Sequence, residues 1–264
     1  MPSAELRTDI PHSARIYDYV LGGKDNFEVD RVAAEKMLEG QPGLRTSMRA
    51  NRRFMVKAAR YLAGQGIRQF LDIGTGLPTQ PNLHEVVQGV ASDAKVVYVD
   101  NDPLVLVHAR ALLTPVGTGS VSYLEADLRD AEAIFAAKEI AEGFDLSRPV
   151  GVTLIAVLQH VTDEKQARGI VEGIMDRLPS GSALALSAVT IENDRTAGDH
   201  TVSTYNTSGV PVKPRSRDEV VALFGDLELI DPGVVFVHQW HPDEEDRAVE
   251  DRDVAMYGGV AVKR

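Results

Sequence analysis

Three short stretches of this chain place acidic residues or glycines where they can do chemistry. The first, Phe70-Leu71-Asp72-Ile73-Gly74-Thr75-Gly76, is an apolar run ending in Asp-x-Gly-x-Gly. Glycines at such a point let the backbone turn tightly and let a ligand come close to it. A ligand-binding turn and an ordinary strand-to-helix turn both fit this pattern. The second, Val96-Val97-Tyr98-Val99, ends in Asp100-Asn101-Asp102-Pro103. A carboxylate at that strand end can take both hydroxyls of a ribose. Asp100, with Asn101 beside it, stands in that position, whereas Asp102 is better placed to cap the helix that Pro103 opens. The third is Ala126-Asp127-Leu128. Asp127 can hold the exocyclic amine of an adenine while Leu128 packs on its ring. Asp127 or Asp130 can equally cap a helix.

The same stretches narrow the ligand. A dinucleotide turn has a third glycine that admits the pyrophosphate to a helix N-terminus. Here Gly74-Thr75-Gly76 continues as Leu77-Pro78-Thr79, and no phosphate loop of the Gly-x-x-x-x-Gly-Lys type occurs. The pattern therefore favours an adenosine cofactor without phosphates. No Gly-x-Ser-x-Gly elbow supports a serine hydrolase. The chain has no cysteine, which removes thiolate zinc sites, disulfides and cysteine nucleophiles. His200, His238 and His241 lack ligand spacing, so no metal is expected. His84 either faces the cofactor or lies on a helix surface. Trp240-His241-Pro242 either borders a substrate pocket or anchors a loop.

Short apolar runs alternating with amphipathic stretches must position these residues. Strands are expected over 67–73, 95–99, 121–125, 150–157 and 183–189. The intervening helices are expected over 84–90, 103–113, 130–140 and 163–178. An irregular stretch is expected from 190 to Pro214. Ser216-Arg-Asp-Glu219 is then a capping box for a helix to Phe224, worth about 0.5–2 kcal/mol at its start. Final strands are expected near 227–230, 234–237 and 255–262. Strands this apolar imply a parallel sheet covered on both faces. Five βα units are too few for a TIM barrel, so a doubly wound α/β sheet is expected. Ahead of it, residues 1–12 are expected as a loose arm. Helices follow over 13–20, capped by Ser13, over 28–39 and over 44–63.

The chain of 264 residues carries a formal charge of −11. So acidic a protein is a poor match for a nucleic-acid backbone. No apolar run is long enough to span a membrane, and the first residues lack the apolar core of a secretory signal. A cytoplasmic protein is expected. The acidic run 243–253 reads as a solvated loop.

At this point the sequence resembles the class I S-adenosylmethionine-dependent methyltransferases. More narrowly, it resembles a family of bacterial predicted S-adenosyl methyltransferases. The narrower resemblance covers nearly the whole chain. It rests on ARIYDYVLGGKDNF at 14–27, NRRF at 51–54, QFLDIGTGLPT at 69–79 and VYVDNDP at 97–103. It implies a Rossmann-like sheet with an N-terminal helical lid over the cofactor S-adenosyl-L-methionine, which leaves as S-adenosyl-L-homocysteine.

The resemblance also implies roles for single residues. Asp72, Gly74, Thr75 and Gly76 would line the cofactor site, with Asp100, Asn101, Asp127 and Leu128. From the lid, Tyr17 and Tyr19 would line the pocket, with Gly22 ending their helix. Lys24 and Asn26 would meet the cofactor carboxylate or the substrate, and Arg52 is an alternative partner for that carboxylate. Core packing for the tyrosines, and solvated helix faces for Lys24, Arg52 and Arg53, are the plainer alternatives. After the fourth strand the family pattern has an apolar residue followed by Leu-His, at the border of the reacting methyl. This chain has Val157-Leu158-Gln159-His160-Val161, so the histidine stands one position later. Val157 and Gln159 are assigned to the cofactor, and His160 and Tyr17 are the candidate catalytic residues.

The expected organisation is a lid, 1–66, and a methyltransferase domain, 67–264. The expected function is methyl transfer from S-adenosylmethionine to a small molecule, without nucleic-acid or membrane partners. A non-catalytic S-adenosylmethionine-binding protein and an NAD(P)-dependent oxidoreductase are the alternatives.

Overall fold

A computed structural model describes residues 8–112 and 114–264. Residues 1–7 of the expected arm, and residue 113 at the end of an expected helix, lie outside the described residues. Three helices come first: α1 (Ser13–Leu21), α2 (Glu28–Gly40) and α3 (Leu44–Gly64). The alternating part follows as β1 (Gln69–Ile73), α4 (Leu83–Val90), β2 (Lys95–Asp100), α5 (Pro103–Leu112) and β3 (Val121–Glu125). It continues with α6 (Ala131–Ala136), α7 (Lys138–Ala141), β4 (Gly151–Ile155), α8 (Glu164–Met175) and β5 (Ala183–Val189). Then come α9 (Arg195–Thr207), α10 (Arg217–Leu223), β6 (Glu228–Leu229), β7 (Val235–Phe236), α11 (Glu244–Arg247) and β8 (Met256–Val262).

The strands form one sheet in the order β3-β2-β1-β4-β5-β8-β6, with β7 also paired to β8. β1 to β5 run parallel, and β8 runs antiparallel to β5, β6 and β7. The order reverses between β1 and β4, which is where an open α/β sheet leaves a crevice beyond its strand ends. β1 is buried along its whole length, its polar Gln69 and Asp72 included.

Each face of the sheet has its own core. On one, Leu71, Val97 and Leu184 pack with Ile170, Ile174 and Phe224 of the α8–α10 side. On the other, Phe70, Val96 and Ala185 pack with Phe54, Ala58 and Leu62 of α3 and with Leu83 and Val87 of α4. Each fully buried large side chain contributes about 1.5–3 kcal/mol. A third cluster joins α1, α2 and the start of α3 through Ile16, Val20, Met37 and Met48, with Tyr205 of α9 against it. Among the described residues no helix is long and apolar enough to cross a membrane.

Four expectations need correction. The stretch expected to be irregular holds α9, started by Asp194, whose carboxylate accepts from Ala197 N. The cap of α1 is His12, not Ser13: its Nδ1 lies 3.3 Å from Ala14 N. The helix expected over 130–140 breaks at Ala137, which is extended. The acidic run 243–253 is not simply solvated, because Asp246 is fully buried and holds two cations of α3. Arg53 Nε donates to it at 2.7 Å, and Lys57 Nζ donates to its other oxygen. Arg53 is thus a structural clamp rather than a solvated helix residue.

Candidate functional site

The site begins where β1 runs out. Gly74 has φ +74°, and its N–H donates to Val99 O at 2.8 Å. A Cβ on Gly74 would lie 2.3 Å from a methyl of Val157, so only glycine fits between the two strand ends. Gly76, at φ +66°, aims its N–H at Asp100 Oδ2, 2.9 Å away. Asp102 N donates to Asp100 Oδ1, also at 2.9 Å. Each oxygen of Asp100 therefore holds one backbone N–H and keeps acceptor capacity for a second donor. Asp102 is occupied otherwise: its Oδ1 accepts from Leu104 N at 2.9 Å, the expected cap of α5.

Beyond these strand ends lies a cavity of about 380 Å³. Asp72 sits at its floor, with Thr153 donating to its carboxylate. Burial pushes the carboxyls of Asp72 and Asp100 above the usual range, against the hydrogen bonds that favour their charged forms. Gly74, Thr75, Gly76, Asn101 and Leu128 line the cavity as expected. So do Val157, Gln159 and His160, on the short 3₁₀ turn after β4. Ala156 enters that turn at φ +54°, a strained value for a residue with a Cβ.

The roof comes from the helices. Tyr17 lines the cavity and donates to Met48 O at 3.1 Å, while Asn51 Nδ2 donates to the phenol oxygen at 3.3 Å. Burial raises the Tyr17 pKa, so this phenol keeps its proton. Arg52 lines the cavity while its Nη2 donates to Thr79 O and Pro81 O. Among the described residues its Nε and Nη1 have no such partner and are available to a carboxylate.

Five of the candidate cofactor residues do not line the cavity, and His84 and Trp240 do not either. Tyr19, two residues along α1 from Tyr17, points away from the cavity and donates to Glu35. Gly22 is the left-handed C-cap of α1, and Lys24 is exposed; neither lines the cavity. Asn26 is buried in a local network, donating to Asp18 and Gly23 O and accepting from Arg31. Asp127 turns its Oδ1 to Arg129 N at 2.9 Å and stands beside the lining residues Ala126 and Leu128. His84 lies neither on the surface nor in the cavity. It is buried, with Nδ1 2.9 Å from the Tyr98 hydroxyl. Trp240 is buried with its ring stacked on His241 and set edge-on to Phe54 and Tyr61, an anchor for its loop.

The sequence reading missed Asp18, Asn51 and Tyr205, all of which line the cavity. Asp18 and Asn51 stood inside runs already singled out, but Tyr205 on α9 had no signal. His160 Nδ1 lies 2.9 Å from Pro211 O. A carbonyl only accepts, so Nδ1 carries the proton and Nε2 is the basic nitrogen. Burial holds the His160 pKa below its ordinary value, which keeps the ring neutral near pH 7.

Two cavity-lining acceptors, Asn51 Oδ1 and Gln159 Oε1, are buried without a hydrogen-bond partner among the described residues. A buried acceptor left without a donor costs about 1–3 kcal/mol. S-Adenosylmethionine carries matching groups: an ammonium for these oxygens and Asp72, a carboxylate for Arg52 and a ribose diol for Asp100. The residues present fit it. Among the described residues no cluster of three or more metal-ligating side chains occurs.

The raised carboxyls give the site a pH dependence. Asp72 and Asp100 bind protons more tightly folded than unfolded. Their contribution to stability is full below the ordinary carboxylate pKa and is lost as pH rises through the raised values. A ligand that needs both carboxylates ionised must expel those protons. S-Adenosylhomocysteine affinity is therefore expected to rise from about pH 4 towards about pH 7. Calorimetry in buffers of different ionisation enthalpy should register proton release at the acid end; its absence would refute the coupling.

Comparison with known proteins agrees with this geometry. A structure of a DUF574 family protein from Streptomyces avermitilis MA-4680 is 46% identical, covers 98% of this chain and 100% of its own, and superposes with a TM-score of 0.96. A candidate methyltransferase from Thermobifida fusca YX is 37% identical over 100% of this chain and 98% of its own, with a TM-score of 0.90. An O-methyltransferase family protein from Burkholderia thailandensis is 18% identical, covers 84% of this chain and 57% of its own, and shares the fold with a TM-score of 0.52. Among curated proteins, none is similar enough to count as a relative of this chain. The model of the S-adenosyl methyltransferase family matches residues 1–264. The chain belongs to that family, with the Rossmann-like class I methyltransferase fold and S-adenosylmethionine as its cofactor.

Proposed function

We propose that the chain transfers the methyl group of S-adenosylmethionine to a small molecule seated between His160 and the helical roof. The observation that carries this reading is the roof itself. Tyr17, Asn51 and Tyr205 cover a cavity of about 380 Å³, a space for a cofactor and a small acceptor rather than for a macromolecule. The net charge of −11 adds to the case against nucleic acid. We take the helices before residue 67 as the lid segment and 67–264 as the methyltransferase domain, with α9 completing the roof. The dinucleotide reading is left without support by the family and by the glycine turn.

When bound, the cofactor supplies an electrophilic methyl on a sulfonium. The chain's residues bind, orient and exclude water. Asp100 takes the ribose diol. Asp72, Asn51 and Gln159 take the ammonium, and Arg52 the carboxylate. Leu128 and Ala126 pack on the adenine, with Asp127 at its margin. His160 Nε2 receives the proton that the acceptor sheds. Roofing the cavity keeps water away from that transfer.

A general base contributes about 10²- to 10⁴-fold. His160→Gln is therefore expected to lower the transfer of labelled methyl into the small-molecule fraction of a bacterial extract by that factor, while S-adenosylhomocysteine still binds. Undiminished transfer would remove His160 from the chemistry. Label entering only the macromolecular fraction would overturn the small-molecule reading. Cofactor binding without any transfer would favour the non-catalytic alternative.

A further inference from the structure

We infer that Arg215 is a positioning residue for the turn that carries Gln159 and His160. The inference rests on the proposed role of His160 as proton acceptor. Arg215 has a side chain with no exposed surface, which is rare for a cation, since taking a charge out of water is costly. Its Nη1 donates to Leu158 O and its Nη2 to Val161 O, both at 2.8 Å. These carbonyls bracket Gln159 and His160.

The rest of the segment acts on the residues between. Lys213 N donates to Gln159 O at 2.9 Å, and Pro211 O accepts from His160 Nδ1 at 2.9 Å. Every residue from Leu158 to Val161 is thus held by a hydrogen bond from the stretch 211–215. That stretch is tied to the sheet, because Arg215 N donates to Val189 O at 2.8 Å. Glu164, at the start of α8, sets the charges behind it. Its Oε1 lies 3.0 Å from Arg215 Nε and 2.6 Å from Lys213 Nζ.

The arrangement has a chemical consequence. A 3₁₀ turn three residues long has poor internal hydrogen bonding and little rigidity of its own. The turn presents two groups to the cavity: the unpartnered Oε1 of Gln159 and the ring of His160. The ring offers a basic Nε2 only while Pro211 O holds Nδ1–H. Clamping both ends of the turn keeps the ring against that carbonyl. An apolar side chain could fill the space of Arg215, but it could not reach two carbonyls at once.

The test reads the ring directly. In the S-adenosylhomocysteine complex of the full chain, the ¹⁵N shifts of His160 should show one tautomer, protonated on Nδ1. Arg215→Met keeps the bulk and removes the clamp. It should give averaged ring-nitrogen shifts, the mark of mixed tautomers. Arg215→Lys keeps the charge beside Glu164 and reaches fewer carbonyls; it should fall between the two. If Arg215→Met does not fold, Arg215→Lys is compared with wild type by the same measurement. Wild-type ring shifts in a folded variant would overturn the inference and leave Arg215 a stability residue only. This readout needs no acceptor, so its failure is distinct from a failure of the proposed methyl transfer.

Discussion

Replacing Asp100 with alanine is expected to weaken S-adenosylhomocysteine binding by about 10- to 150-fold in a protein that still folds. Hydrogen bonds to a charged group are worth about 1.5–3 kcal/mol, and each 1.4 kcal/mol is about tenfold in affinity. Asp100 meets both conditions for such an effect. It is buried, and its two oxygens are fixed by Gly76 N and Asp102 N so that they face one direction. Alanine also strips those two N–H groups of their acceptor, which loosens the glycine turn. Asp100→Asn separates the two contributions, because the amide still accepts on one side but cannot accept on both. Calorimetry beside a circular dichroism spectrum checks the prediction. Unchanged affinity in a folded variant would remove Asp100 from the ribose site.

The second large effect is expected in the roof. Asp30 is fully buried on α2 and accepts three N–H groups, each at 2.9 Å: His12 N, Arg15 Nε and Phe27 N. It thereby ties the start of α1, the middle of α1 and the start of α2 together. Arg15 is itself buried. Removing one partner of a buried ion pair costs about 3–5 kcal/mol, because the other charge stays in a place with little water. Asp30→Ala is expected to lower unfolding stability by that amount, or to melt α1 and α2 if they come apart first. Cofactor affinity should fall with it, since His12, Tyr17 and Asp18 line the cavity from these elements. Denaturant unfolding with a parallel ligand titration checks both. A loss below about 1 kcal/mol would mean that Asp30 does not hold the roof together.

The sheet and the strand-end residues were legible for one physical reason. Parallel strands buried on both faces are mostly apolar, so β1 and β2 stand out in the sequence, with Asp72 and Gly74 at the end of the first and Asp100 at the end of the second. That is how Asp72, Gly74 and Asp100 could be assigned from order alone. The roof was less legible. α9 buries Gly198, Thr201 and Thr204, small and polar residues that leave no apolar stripe, and it meets α2 through Thr201 Oγ1 on Gln41 Oε1 at 2.8 Å. Tyr205 was lost with that helix. Tyr17 and Tyr19 looked equivalent in the sequence, yet two residues on a helix face different ways. Asn26 has a polar side chain just past a glycine pair, a pattern that in the sequence alone fits a ligand contact. That side chain instead closes the local bend by binding Asp18, and a Cβ on Gly23 would meet the Asp18 carboxylate at 1.9 Å and displace it from Asn26. Arg215 carries no signal in the sequence, because an arginine between Lys213 and Arg217 reads as one more solvated cation.

The packing of α3 against the sheet also bears on how the chain acquires its shape during synthesis. Phe54, Ala58 and Leu62 share a core with Met256 and Val260 of β8, and a Cβ on Gly258 would come within 3.0 Å of the Phe54 ring. α3 leaves the ribosome long before β8 does. Its apolar face has no complete partner until β8 has emerged. Pairings between such distant stretches form slowly, and exposed apolar surface invites association in the interval. Part of that face therefore stays uncovered until the last strand is made, while β1 and α4 cover the rest of it soon after α3 emerges.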